Sequence, residues 1–139
     1  MLKFAANLSF LFNEVDFLER IPAAAAQGFR ACEFMFPYDY DAKVLCARLY
    51  GSGLKLVLFN AAQGNWAAGE RGIAAVPGRE AEFDAAIANA AAYARVLGNK
   101  LIHVMAGLEG QGANRATFAA NLKRGADALA ADGLSLIIE

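Results

Sequence analysis

The sequence predicts an α/β fold built on a parallel sheet with covering helices. Short apolar runs alternate with longer helical patterns in the order βαβαβαβαβ. The strand-like runs are continuously apolar, as in Leu56, Val57, Leu58 and Phe59. A strand of that kind is buried on both faces, as in a parallel sheet covered by helices. Hydrophobic residues make up 58% of the 139 residues and charged residues 19%. That composition supports a sizeable core and excludes a disordered chain.

Residues 2–7 read as the first strand. Residues 16–27 follow as a helix stopped by Gly28. The second strand is expected over 29–35, and a helix over 41–50 ends at the glycines of 51–53. The third strand covers 54–60, and a long connection runs through 61–78. A long helix over 80–97 is stopped by Gly98, and the fourth strand covers 100–105. A glycine-rich loop spans 106–113; Asn114 is then a good N-cap for a helix ending near Asp132. Gly133 stops it, and residues 134–138 read as the fifth strand. Repeated βα units fit a barrel or an open doubly wound sheet. An eight-unit barrel has about 250 residues; on that reading this chain would supply four βα units and one further strand. No linker or low-complexity segment interrupts the chain, and one domain over 1–139 is expected.

The formal net charge is −1, with no basic block. Nucleic-acid surfaces cluster Lys and Arg, so a nucleic-acid partner is not expected. Cys32 and Cys46 are too few and too separate for a disulfide framework or a zinc site, and both are expected reduced in the core. The opening MLKFAANLSFLF lacks a long apolar segment and a cleavage signal. No apolar run is long enough for a bilayer. A soluble cytoplasmic protein without a membrane partner is the expectation.

In a barrel, chemistry sits at the C-terminal ends of the strands. The polar residues there are Asn7, Glu33, Asn60, His103 and Glu139. As a set they are expected to line one mouth, although strand ends also use polar residues as caps. The long connection carries GNWAAGERG over 64–72, placing Trp66, Glu70 and Arg71 between glycines. A loop longer than about 12–15 residues in a compact domain is usually functional or disordered. Arg71 can clamp a substrate carboxylate with its planar fork, or form a surface ion pair with Glu70 or Glu80. His103 is the only histidine. It can donate to a substrate oxygen or act as acid or base, or serve as a hydrogen-bonded structural residue. Glu33 faces the same choice, since a buried carboxylate needs a partner such as a neighbouring Arg. Phe34, Phe36, Tyr38 and Tyr40 either wall a pocket or pack as core and rim. Gly107, Gly110 and Gly112 match neither a dinucleotide fingerprint nor a P-loop.

The segments FAANLSFLF, GFRACEFMFPYDYD, NWAAGERGIAAVPGRE and YARVLGNKLIHVMAG resemble the hydroxypyruvate isomerases and 2-oxotetronate isomerases. These belong to the xylose-isomerase-like (β/α)8 TIM barrels. The resemblance spans essentially the whole chain, and WAAGERG followed by PGRE is its most specific piece. It implies a truncated barrel of that kind, its N-terminal part with strands 1–5, and isomerisation of a small hydroxy-oxo acid through an enediol. Two glutamates and a divalent metal, Mg²⁺ or Mn²⁺, would share the work. The LIIE ending resembles the stretch that carries the first glutamate, so the resemblance gives Glu139 the roles of acid/base and metal ligand. The substrate-binding set is expected to be Asn7, Asn60, Trp66, Arg71 and His103. The other metal ligands would come from strands six to eight. The 139-residue chain alone is therefore expected to hold no metal and to be inactive. An alternative is a non-catalytic half-barrel module. In either case the chain is expected to assemble with itself or with a complementary half-barrel chain.

Overall fold

In a computed structural model, residues 2–138 are described. Strand β1 (Ala6–Asn7) leads to helix α1 (Phe17–Ala26), then β2 (Ala31–Glu33) and α2 (Ala42–Gly51). Strand β3 (Lys55–Ala61) is followed by α3 (Glu80–Leu97), β4 (Leu101–Val104), α4 (Arg115–Ala130) and β5 (Ser135–Ile137). The sheet order is β1-β2-β3-β4-β5. The pairs β1/β2, β2/β3 and β4/β5 are parallel. The predicted element order therefore holds, and the strands are parallel as expected.

Strands β1, β2, β4 and β5 are shorter than the runs expected for them, while β3 keeps the expected seven residues, shifted by one position. Leu2, Phe4 and their neighbours are exposed ahead of β1, and pairing begins only at Ala6. Apolarity reports burial, whereas strand length is set by where backbone partners exist.

The chain packs as two compact units, Met1–Phe59 with Tyr93–Asn99, and Asn60–Ala92 with Lys100–Glu139. In the first unit Leu8, Ile21, Cys32, Leu45, Leu56 and Phe59 form the core. Asp41 caps α2, its carboxylate accepting from the N–H groups of Lys43 and Val44. In the second unit Ile73, Phe83, Ile87, Ile102, Val104 and Leu129 are buried. Asn114 caps α4 as expected, accepting from Thr117 N at 2.9 Å. Gly125 lets α4 lie close: a Cβ there would sit 3.0 Å from Leu136 Cδ1 and 3.1 Å from Phe83 Cζ.

Of the two cysteines, Cys32 is fully buried but Cys46 is only half-buried, which corrects the expectation that both are core residues. Cys46 lies on α2, beside the buried Leu45 rather than on the helix's inner face. Among the described residues no helix is long and apolar enough to cross a membrane.

Candidate functional site

Asn7 is the last residue of β1 and Glu33 the last of β2. The Asn7 amide donates to Glu33 Oε1 at 2.9 Å, and its carbonyl oxygen accepts from Ser9 N at 3.0 Å. An arginine was one of the partners open to Glu33; the partner found is the amide of Asn7. An irregularity in the β2/β3 pairing lies beside this carboxylate. Cys32 pairs with Leu56 but Glu33 with Leu58, so Val57 is the extra residue. Such a bulge turns the following side chains. Ser9 Oγ accepts from Met35 N at 2.8 Å, so the two strand exits are stitched together beyond the sheet.

The aromatic residues after β2 pack on one another. Tyr38 meets Phe59 and Tyr93 edge-on at 6.1 and 5.2 Å between ring centroids. Tyr40 stacks on Phe17 at 5.1 Å, and Tyr93 donates to the Tyr40 carbonyl at 2.9 Å. Burial, and secondarily Tyr93, push the Tyr38 hydroxyl well above the ordinary phenol range. The packing alternative of the two readings is thus the one these rings fulfil. Burial, helped by the charge of Glu33, likewise pushes the Cys32 thiol up to about 12, which keeps it unreactive.

In the second unit, Asn60 lies near the end of β3, buried, with its amide 3.7 Å from Met105 Sδ. Ala62, two residues on, is buried with φ +58, a left-handed conformation that costs an alanine energy. Next to it, Gln63 Oε1 is buried without a hydrogen-bond partner among the described residues. His103 is half-buried in β4, in register with Ile137 of β5. Glu139 lies outside the described residues.

The connection after β3 is ordered by its own polar groups. Trp66–Ala68 forms a 3-10 turn capped by Asn65, whose side chain accepts from Ala68 N at 3.1 Å. The Arg71 guanidinium lies over the Trp66 ring, 4.0 Å from its centroid, a cation–π contact. It also donates to the Glu70 carbonyl at 2.6 Å and to the Trp66 carbonyl at 3.4 Å. No carboxylate among the described residues pairs with Arg71. The anticipated ion pairs with Glu70 and Glu80 are not formed, because those acids are engaged elsewhere. Glu70 binds Arg79 at 2.6 Å and accepts from Asn65 N. Glu80 accepts from Gly78 N at 3.1 Å. The Arg79 guanidinium beside Glu70 holds its carboxyl below the usual range, and Asn65 N adds to this.

The same loop is fastened to the segment after β4. Gly72 and Ala106 form an antiparallel bridge, Ala75 N donates to Ala106 O at 2.7 Å, and Gly107 N donates to Arg71 O at 3.1 Å. Gly72 has φ +97, and a Cβ there would collide with the Met105 carbonyl. Buried Asn121 of α4 donates to the Ala74 carbonyl at 2.9 Å. Sequence reasoning missed Asn121, Gln63 and Arg79; the arginine of PGRE was the one available signal.

Among the described residues no group of three or more His, Cys, Asp or Glu side chains is placed to hold a metal ion. Asn60, Trp66, Arg71 and His103 all lie in the second unit, whereas Asn7 and Glu33 belong to the first.

Residues 21–139 match the family model described as Xylose isomerase-like TIM barrel. The chain is 56% identical to a 2-oxo-tetronate isomerase of Cupriavidus necator and 49% identical to a hydroxypyruvate isomerase of Escherichia coli strain K12. Each match covers 100% of this chain and 55% of the relative, so the chain spans about half the length of the curated relatives it matches. A crystal structure of a Brucella melitensis protein named AP endonuclease, family 2, superposes with a TM-score of 0.94 at 46% identity. That superposition covers 99% of this chain and 55% of the other. A sugar phosphate isomerase/epimerase from Parabacteroides distasonis shares the fold at 13% identity, with a TM-score of 0.71. By its fold and by these matches, the chain belongs to the xylose isomerase-like TIM barrel family.

Proposed function

We propose that this chain contributes the first five strands of an isomerase of small hydroxy-oxo acids such as hydroxypyruvate or 2-oxo-tetronate. The observation that carries this is similarity along its whole length to proteins named as isomerases of those two acids. In this reading Arg71 takes the substrate carboxylate. Its guanidinium is exposed and stacked, and no carboxylate among the described residues pairs with it. Trp66 backs the guanidinium, and the flat ring limits the directions its N–H groups can take. Asn60 and His103, next to the last residues of β3 and β4, hydrogen-bond the hydroxyl and carbonyl oxygens. Glu139 moves the proton between the two carbons.

A divalent ion, Mg²⁺ or Mn²⁺, belongs to this proposal for the complete enzyme, with Glu139 as this chain's ligand. The described residues do not themselves form such a site. As part of the same proposal, the 139-residue chain alone associates with itself or with a complementary half-barrel chain, is inactive by itself, and gains activity when a complementary chain supplies the remaining strands. The name of the Brucella relative suggests a polyanionic substrate. A net charge of −1 and the two isomerase relatives favour the small acid instead.

The test joins these residues to the remaining length of the Cupriavidus relative and assays both acids, with abasic DNA as the competing substrate. Isomerisation that disappears in Glu139→Gln supports the reading. Cleavage of abasic DNA without isomerisation overturns it.

A further inference from the structure

The WAAGERG loop holds an exposed arginine in one orientation, although an exposed arginine ordinarily samples many. The cause can be traced through Glu70. Its backbone carbonyl accepts from Arg71 Nη1 at 2.6 Å, so the placement of residue 70 sets where the guanidinium of residue 71 lies. Its carboxylate accepts from Asn65 N and from Arg79 Nη1, the latter at 2.6 Å. Asn65 in turn caps the turn that carries Trp66. One side chain thus governs both partners of the Arg71–Trp66 stack.

Arg79 is itself aimed. Its Nε and Nη2 engage both carboxylate oxygens of Glu82, at 2.8 and 2.7 Å, leaving Nη1 for Glu70. A planar fork held at two points can direct its third nitrogen in only one direction. Glu82 lies in the first turn of α3, so the loop is anchored to a helix. The pocket for the carboxylate is tight: Gly64 has φ +70, and a Cβ there would collide with the Glu70 carboxylate. The Glu70 and Arg79 side chains are 19% and 25% exposed, well below ordinary surface pairs such as Lys123–Asp127 at 78% and 67%.

We propose that Glu70, fixed by Arg79, is a positioning residue that holds Arg71 against Trp66 in the orientation that receives a substrate carboxylate. This rests on the assignment of Arg71 above. Glu70 does not touch the substrate in this scheme. It acts by preorganisation: a cation already held in place loses less entropy when the anion arrives.

Trp66 is the chain's only tryptophan, so its fluorescence reports on this loop alone. The experiment uses the full 139-residue chain, with Glu70→Gln, Arg79→Lys and Arg79→Gln variants. Acrylamide quenching of Trp66 measures loop order without ligand. Titration with glycerate, and with uncharged glycerol as its counterpart, measures carboxylate recognition. Glu70→Gln and Arg79→Gln should raise quenching and weaken glycerate binding about tenfold, with no change toward glycerol. Arg79→Lys should restore part of both. A purely structural pair would lower thermal stability while leaving glycerate affinity of the folded chain unchanged, and that result overturns the proposal. If Glu70→Gln does not fold, the two Arg79 variants decide on the same readouts. If the unaltered chain binds no glycerate while Glu70→Gln still raises quenching, Glu70 orders the loop, but the carboxylate role of Arg71 falls.

Discussion

The side chain of Asn7 donates to the carboxylate of Glu33 at 2.9 Å, tying the last residue of β1 to the last residue of β2. A half-buried hydrogen bond to a carboxylate contributes about 1.5–3 kcal/mol. Asn7→Ala should lower unfolding stability within about that range, because the Ser9 N–H loses its acceptor as well. Asn7→Asp should do worse, since it sets two carboxylates against each other. Urea denaturation followed by far-UV circular dichroism measures both.

Asn121 should matter as much, although it lies on a helix far along the sequence from the loop it supports. It is 1% exposed, and its amide satisfies the Ala74 carbonyl. Asn121→Ala leaves that carbonyl without its partner and opens a small void. A loss of about 2–3 kcal/mol is expected. Faster hydrogen exchange at residues 72–76 should accompany it.

Arginine at position 71 should resist conservative replacement. Lysine keeps the charge but not the planar group that stacks on Trp66. In the joined enzyme, Arg71→Lys should raise KM for the acid about tenfold or more with a smaller change in kcat. Arg71→Ala should raise it further. Equal KM values for Arg71→Lys and the unaltered enzyme would rule out a bidentate contact.

Acid should loosen the loop after β3. Arg79 first, then Asn65 N, hold Glu70 ionised below the ordinary value of 4.5. The backbone N–H groups of residues 80 and 78 do the same for Glu80. A carboxyl whose folded pKa is lowered contributes fully above its unfolded value, and loses that contribution as pH falls through the folded one. The charged groups facing this pair are Arg79, Glu82, Arg71 and Arg124. Trp66 emission should therefore stay constant from neutral pH down to about 4.5 and change below it. In Glu70→Gln the change should be reduced, because the carboxyl that Arg79 and Asn65 N hold ionised is gone.

The two cysteines should react at different rates. Cys46 is half-buried and should be modified by a thiol reagent in the native chain. Cys32 is fully buried, its thiol pushed up to about 12, and should react only when the chain unfolds. Mass spectrometry of the singly modified protein should locate the label on Cys46.

The succession of strands and helices was legible because it rests on local signals. Asp41 and Asn114 are caps that act on residues two or three positions away. Strand ends were less legible, since Leu2 and Phe4 are as apolar as any strand residue yet stand exposed. Within the candidate site, the GNWAAGERG run and Arg71 stood out by composition. Their partners did not. Whether Glu70 meets Arg71 or Arg79 depends on how the chain returns from residue 71 to 79, and no spacing rule encodes that path. The Asn7–Glu33 pair is likewise set by the β1/β2 register, in which the two residues are partners.

The bridge between Gly72 and Ala106 has a consequence for how such proteins can change. Residues 72–76 lean on carbonyls at 105 and 106, and in return Asn114 N donates to the Ala75 carbonyl at 2.8 Å. Neither segment can be lengthened or shortened while the other keeps its conformation. A change of length in one segment has to be matched by a change in the other. A chimera that transplants residues 61–79 alone should inherit a loop without its footing, whereas exchanging residues 105–114 with it moves a self-consistent cassette.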